Sequence, residues 1–376
     1  MPSSPFRQNA IIAALRQEII AGSLAPGQRL QTRQELVARF DASSVTVQRA
    51  LDTLTADGFV TARGRNGTFV VDHPPHRCRF GLVIPAALDQ RESWPHFWRA
   101  LMDEAGALFG ARDPRTLTVY PGIEVRDERH YPQLLREVQA QRLAGLIFCT
   151  SPFYLGNSPV LTAPGLPRVS VGTRAGSAVP SVLELDVEGI FDRAIERFAR
   201  LGRRRVALLT VPGIDPAHRE RFLNGLKRAG LATRPEWLQA AAIQYPYWAE
   251  HITRLLFRVG QDQLPDALLI TDDNLVGPAT AGMRSLDLRC PEKVEVIAHA
   301  NFPSPTASAL PITRLGYDLT QLLRQGIADL ERQRQAPERA TYSRLEPVFA
   351  GPDGNGADSA DSAGSAPAAD RERAEP

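Results

Sequence analysis

Seven short β-branched runs, GLVIP, TLTVYP, GLIFC, PRVSV, RVALLT, ALLIT and VEVIA, punctuate the sequence between Arg79 and Phe349. Stretches of helical period separate them. Strands that follow one another through helices are the signature of parallel βαβ units, so the pattern predicts an α/β fold for this part of the chain. No tandem repeat is present.

Residues 1–73 follow a different pattern, with dense helical periodicity closing in a hairpin. Ile11, Ile12, Leu15, Ile19 and Ile20 fall at helical spacing, and Gly22 and the Pro26-Gly27 turn end that helix. Thr32-Arg33-Gln34-Glu35 reads as a capping box opening a second helix, with Leu36, Val37 and Phe40 on its buried side. Asp41-Ala42-Ser43 makes a tight turn, and Ser43 is the N-cap candidate for a third helix. The third helix buries Val47, Ala50, Leu51 and Leu54 and turns Val45, Thr46, Gln48, Arg49 and Asp52 to the opposite face. Arg can fork onto guanine and Gln onto adenine, and a Val or Thr methyl can meet the thymine methyl, so this face suits a major groove. Two helices joined by a short turn make a helix-turn-helix. Phe59–Arg63 and Thr68–Asp72 alternate around Asn66-Gly67, a two-residue turn signal, and form a wing whose Arg63 and Arg65 can neutralise phosphates.

Charge agrees with that reading. Residues 1–79 hold ten Arg against six acids, a net +4 in a chain of net +2, whereas residues 350–376 hold six acids and two Arg, a net −4. Pro74 and Pro75 read as a stiff, extended linker over 74–79, the α/β body as 80–349, and the Ala, Gly, Ser, Pro and acid-rich segment 350–376 as a disordered tail. No apolar run approaches the roughly 18 residues of a membrane span, and MPSSPFRQNA has no apolar h-region. Cys78, Cys149 and Cys290 are odd in number and lack metal-like spacing. These features predict a cytoplasmic protein without membrane attachment, bound metal or cofactor.

Residues 7–72 resemble the winged helix-turn-helix of the GntR family of bacterial transcription regulators. The match rests on the Gly-x-Leu-x-Pro-Gly-x-x-Leu opening, the Thr46-Val47 and Ala50-Leu51 core and the closing Gly-Thr-Phe-Val. The family usually has Arg where this chain has Gln34, Ser44 and Gln48, with Arg33 and Arg49 one position away. The expected DNA-contact set is therefore Arg33, Gln34, Ser43, Ser44, Val45, Thr46, Gln48 and Arg49, with Arg63, Arg65, Asn66 and Gly67 on the wing.

The body resembles the two-lobed, periplasmic-binding-protein-like sensor of the LacI family. FGLVIP with PHFWRALMDEAGALFG matches its first strand and helix. LELDVEGIFDRAIERFARLGRRRVALLT matches the crossing into the second lobe, and PDALLITDDNLVGPATAGM the later strands. Such a fold implies a small ligand held at the carboxyl ends of strands between two closing lobes. Asp186, Asp272, Asp273 and Asn301 are strand-end candidates, although both Asp186 and the Asp272-Asp273-Asn274 run can equally cap their helices. Trp94, Phe97, Trp98 and Trp248 are candidate ring platforms, with Tyr245 and Tyr247 beside the last. Arg219 and Arg221 precede Phe222, which stands where the family commonly holds a ligand arginine. Ala300-Asn301 replaces the usual strand-end Asp, and His299 is a further candidate.

The combination predicts a ligand-responsive repressor, without enzymatic activity, that binds double-stranded operator DNA as a homodimer and answers to a sugar-like effector. Two other functions conflict with these residues. A solute-binding protein of a transport system conflicts with the head. An enzyme on the βαβ body lacks a nucleophile elbow, P-loop or zincin motif, and Lys227 and Lys293 sit in no pyridoxal-phosphate setting.

Overall fold

The computed structural model describes residues 4–351, apart from 175, 176, 214, 259, 261 and 338. The expected disordered tail lies outside the described residues from 352 onward. In chain order the head comprises α1 (Ser4–Ala21), α2 (Arg33–Phe40), α3 (Ser44–Ala56), β1 (Val60–Ala62) and β2 (Thr68–Val70). There follow α4 (Pro75–Cys78), β3 (Arg79–Val83), α5 (His96–Ala107), β4 (Thr116–Tyr120), α6 (His130–Gln139), β5 (Gly145–Phe148), α7 (Pro159–Thr162), β6 (Arg168–Val171) and β7 (Val182–Leu185). The remainder contains α8 (Val187–Arg200), β8 (Val206–Thr210), α9 (Pro216–Arg228), β9 (Leu238–Ala240), α10 (Trp248–Leu256), β10 (Ala267–Ile270) and α11 (Val276–Arg284). It ends with β11 (Glu295–Phe302), β12 (Thr313–Asp318), α12 (Leu319–Gln335), β13 (Tyr342–Leu345) and β14 (Val348–Phe349).

Two compact units result. The first comprises residues up to Arg91 with Ala105–Leu183 and Arg324–Ser343, so the head and the first half of the body belong to it together. The second comprises Glu92–Glu104, Glu184–Leu323 and the chain from Arg344.

In the first unit the head packs around Ile11, Leu15, Ile19, Leu36, Val47, Ala50, Leu54 and Phe59, all buried. Local chemistry sets its corners. Thr32 N–H donates to Glu35 Oε2 at 2.6 Å while Glu35 N–H donates to Thr32 Oγ1 at 3.3 Å, completing the capping box. Asp41 ends α2 in the left-handed region, and Ser43 Oγ accepts from Thr46 N–H at 3.1 Å to open α3. The wing differs from the two-residue turn expected at Asn66-Gly67. Register runs Val60↔Val70 to Ala62↔Thr68, and Arg63 N–H donates to Gly67 O at 2.9 Å, closing a loop of Gly64, Arg65 and Asn66. Gly64 at φ 56° provides the positive φ that lets a helical turn fill the tip. The expected extended linker is also only partly so. Pro74 is extended, but Pro75 opens one helical turn because proline at the first helical position lacks only an N–H that would be unpaired there anyway.

The first unit's sheet runs β13-β7-β6-β5-β3-β4, and the second's β14-β12-β11-β10-β8-β9. Pairings among β3 to β7 and among β8 to β12 are parallel, and β14 adds to β12 antiparallel. Every residue of β5, β8 and β10 is buried, as expected for parallel strands covered by helices on both faces. Leu209, Leu268, Ile270, Val296 and Ala298 centre the second unit's core with Trp237, Phe257 and Met283. Gly316 is obligatory where β12 meets β11, since a Cβ there would lie 1.7 Å from Ala300 O. Among the described residues no helix is long and apolar enough to cross a membrane.

Candidate functional site

The outer face of α3 is short and organised. Val45 is 61% exposed, and Ser43, Ser44 and Arg49 are exposed beside it, with Arg33 and Gln34 at the start of α2. Thr46 is a correction: it was expected on this face but is 5% exposed. Its hydroxyl turns back to Ser43 Oγ at 2.8 Å, which draws the side chain into the capping turn and away from solvent. Gln48 is held at both ends. Arg33 donates to its Oε1, and its Nε2 donates to Asp52 Oδ1 at 2.6 Å. A carbonyl facing Arg33 and an amide facing Asp52 fix the orientation of the Gln48 side chain.

On the wing, Arg63 lies over the Phe69 ring at 4.8 Å, so a cation–π contact aims its guanidinium. Arg65 and Asn66 are exposed at the tip. Gly67, at φ 99°, leaves room for Arg29, whose Nε would stand 2.9 Å from any added Cβ. Arg29, Arg33, Arg49, Arg63 and Arg65 thus share one small domain with a groove-sized helix, an arrangement suited to phosphate and base contacts.

The body's candidates separate into groups. Asp186 caps α8, accepting from Gly189 N–H at 2.8 Å, and pairs with Arg344 at 2.6 Å. Arg221 pairs with Asp192 at 2.5 Å and Glu188 at 3.2 Å, so its charge is already met by carboxylates, whereas Arg219 is exposed on the same helix. Trp94 was expected as a ring platform but is 3% exposed, packed edge-on against Trp98 at 6.4 Å; Phe97 and Trp98 are half-buried. Burial of its large apolar ring explains that placement. Trp248 stays on the surface with Tyr245, Tyr247 and His251, away from the strand-end groups.

Three candidates converge at the carboxyl ends of β10 and β11 in the second unit. Asp272 Oδ1 accepts from Asn274 N–H at 2.9 Å and from Asn274 Nδ2 at 2.8 Å. Asp273 is buried, and its Oδ2 accepts from Asn301 Nδ2 at 2.6 Å and is 2.7 Å from His96 Nδ1. Burial pushes the Asp273 carboxyl up. The His96 bond, the positive potential of His299 and His96 and the Asn301 bond outweigh it, leaving the group below the usual carboxylate range. Asn301 pairs with Tyr317 across β11 and β12, and the His299 and Tyr317 rings lie 5.5 Å apart. Asn301 Oδ1, His299 Nδ1 and the Tyr317 hydroxyl are buried without a hydrogen-bond partner among the described residues. Unmet donors and acceptors at the carboxyl edge of a parallel sheet are what a hydroxylated ligand would satisfy. His96, Asn274 and Tyr317 were missed from the sequence; β12, interrupted by charge and Gly316, gave no apolar run to mark its end.

Residues 7–70 match the family described as bacterial regulatory proteins, gntR family, and residues 195–347 match the periplasmic binding protein-like domain. The chain is 22% identical over 357 residues to an arabinose metabolism transcriptional repressor of Geobacillus stearothermophilus, covering 90% of this chain and 94% of the relative. Among solved structures it is similar to a transcriptional regulator CelR–cellobiose complex (TM-score 0.53, 19% identity, 81% of this chain and 88% of that one). It is also similar to a LacI family transcriptional regulator from Lactobacillus casei with bound glucose (TM-score 0.51, 16% identity, 72% of this chain and 97% of that one). The chain therefore joins an N-terminal helix-turn-helix domain of the gntR family of bacterial regulatory proteins to a periplasmic binding protein-like domain with the LacI-regulator fold.

Proposed function

We propose that this protein is a sugar-responsive transcriptional repressor, acting in the cytoplasm, that binds double-stranded operator DNA as a homodimer. In this reading residues 1–73 form the DNA-binding domain and residues 80–349 the effector domain. The observation that carries it is the exposed face of Arg33, Gln48 and Arg49 beside the wing's Arg63 and Arg65, at the head of a periplasmic binding protein-like body. One such helix and wing cover a half-site, and two-fold pairing doubles the phosphate contacts. The sugar class is supported by the arabinose repressor relative and by the cellobiose and glucose in the similar solved structures. Within the body, Asp272, His299, Asn301 and Tyr317 are the groups we assign to the effector. A sugar regulates only by binding one conformational state more tightly than the other.

Selection of bound duplexes from a random pool with the full-length protein, repeated with arabinose, cellobiose and glucose, tests this. A two-fold-symmetric consensus whose affinity falls tenfold or more with one sugar is expected. Failure to retain any duplex at low salt would overturn it.

A further inference from the structure

A cavity of about 890 Å³ opens within the first unit, where α1 of the head faces the body. Gln17 and Ile20 of α1 form one wall, His76 and Arg77 of α4 the floor, and Leu166 and Arg334 the far side. Such a volume accommodates a metabolite of one sugar ring and its substituents.

The floor carries the unusual chemistry. His76 is 8% exposed, and neither of its ring nitrogens has a hydrogen-bond partner among the described residues. Its ring is stacked on Phe59 of the head, centroids 5.8 Å apart and planes 11° from parallel, so it cannot swing out to find water without breaking that contact. Leaving both nitrogens of a buried imidazole unmet is costly, and a ligand group would remove the cost. Two guanidinium groups stand nearby. Arg334 Nη1 donates to Arg77 O at 3.3 Å, and the charges of both arginines bear on His76. Neither arginine forms an ion pair with a carboxylate among the described residues, in contrast to Arg16, Arg142 and Arg221. Two guanidiniums without carboxylate partners and the single N–H of a neutral imidazole make a donor-rich set along the cavity lining, which an acceptor-only anion matches. Ile20, Val138 and Leu166 line the same cavity and offer apolar surface for a carbon skeleton.

We propose that this cavity is a second ligand site, for a small phosphorylated metabolite whose phosphate is held by Arg77, Arg334 and His76. Phosphate fits better than carboxylate because its three terminal oxygens can meet three separate donors. Since α1 is one wall and the body the other, the occupant links the DNA-binding domain to the body and restricts their relative motion. The site is separate from the Asp272, His299, Asn301 and Tyr317 cluster, and the proposal stands whether or not that cluster holds a sugar.

The test uses the full chain and four probes: inorganic phosphate, glucose 6-phosphate, glucose and succinate. Glucose 6-phosphate is expected to give a saturable rise in Tm, inorganic phosphate a smaller one and succinate none. The apparent affinity for glucose 6-phosphate should fall at least tenfold in Arg77→Gln combined with Arg334→Gln. Any response to glucose alone should survive those changes, so failure here is distinguishable from failure of the sugar reading. Nitrogen-15 histidine spectra of the unsubstituted protein provide a measurement independent of variant folding: glucose 6-phosphate should shift the His76 ring resonances and glucose should not. No saturable effect of either phosphate, an effect unchanged in the double variant, an equal effect of succinate or unmoved His76 resonances would each overturn the proposal.

Discussion

The carboxylate of Asp57, which ends the recognition helix α3, lies 3.7 Å from Nη1 of Arg142 in the body. The same carboxylate holds Arg16 of α1 at 2.7 Å, and Arg142 also pairs with Glu137 at 3.2 Å. A single acid therefore joins two helices of the head to the body. Arg16 is the more deeply buried partner, so Asp57→Asn leaves a buried guanidinium short of its counter-charge and should cost about 1–3 kcal/mol in thermal unfolding. Arg142→Gln gives up the 3.7 Å contact with Asp57 and the 3.2 Å pair with Glu137 but leaves Asp57 paired with Arg16, and should cost about 1 kcal/mol. If this contact transmits the state of the body, Arg142→Gln should nevertheless alter the ligand-induced change in duplex affinity. Equal losses of stability in the two variants would refute the ranking.

At the DNA face, Arg49 and Arg65 should separate by function. Arg49 is exposed on α3 and Arg65 at the wing tip, which in the proposed function face base edges and phosphates respectively. Arg49→Ala should relax sequence choice at one position, costing about 1–3 kcal/mol of discrimination. Arg65→Ala should weaken all duplexes alike and reduce the slope of log affinity against log salt by about one. Fluorescence anisotropy over a salt series with matched and mismatched duplexes reads both. A further expectation concerns Gln48. Asp52→Ala frees its amide from the 2.6 Å bond, so base preference opposite Gln48 should broaden while stability changes by no more than about 0.5 kcal/mol.

The buried carboxylate at the strand ends makes its own demand. Asn301 Nδ2 donates to Asp273 at 2.6 Å, and Asn301→Asp would replace that donor with a second acid. Two carboxylates so close cannot both ionise, and the new one would keep its proton well above its ordinary range. The folded state then binds a proton that the unfolded state releases near neutrality. The variant should be destabilised by about 3–5 kcal/mol at neutral pH and recover as pH falls toward the ordinary carboxylate range. Chemical denaturation across that range measures it, and a deficit that does not shrink on acidification would exclude the mechanism.

How far the sequence could be read follows from how local each determinant is. The capping box at Thr32 and Glu35, the Ser43 cap and the buried stripe of α3 are set by neighbours within four residues, and they were legible. So were the strands that are wholly buried and almost entirely apolar, such as β5, β8 and β10. β9 and β13 carry polar or exposed residues and β14 is only two residues long, and all three lie at sheet edges, where pairing rather than composition makes the strand. Thr46 illustrates the limit within a single helix. Its position four residues before Ala50 puts it at the margin of the buried stripe, and a hydrogen bond to Ser43 completes its burial. At the strand ends, Asp273 and Asn301 were legible as polar residues following apolar runs. Their partner His96 is 177 residues away from Asp273, and no local pattern announces that pairing. His76 and Arg334 likewise meet only through tertiary packing.

His76 should leave a signature in acid. Burial, with the nearby charges of Arg77 and Arg334, lowers its pKa from the ordinary 6.5 to about 4. Between those values the unfolded chain carries a proton on this residue that the folded chain does not, so acidification favours unfolding. The stabilisation due to neutral His76 is complete above about pH 6.5 and is lost as pH falls to about 4. Allowing for solvent screening of a site that opens to a cavity, the loss should be roughly 1–2 kcal/mol. His76→Phe retains a flat ring against Phe59 but has nothing to protonate, so its stability should fall less steeply over this window than that of the unsubstituted protein. The comparison belongs in a buffer free of phosphate, because an anion bound beside the ring would favour the protonated imidazole and flatten the slope. Parallel pH profiles for the two proteins would show that His76 is hydrated and titrates normally.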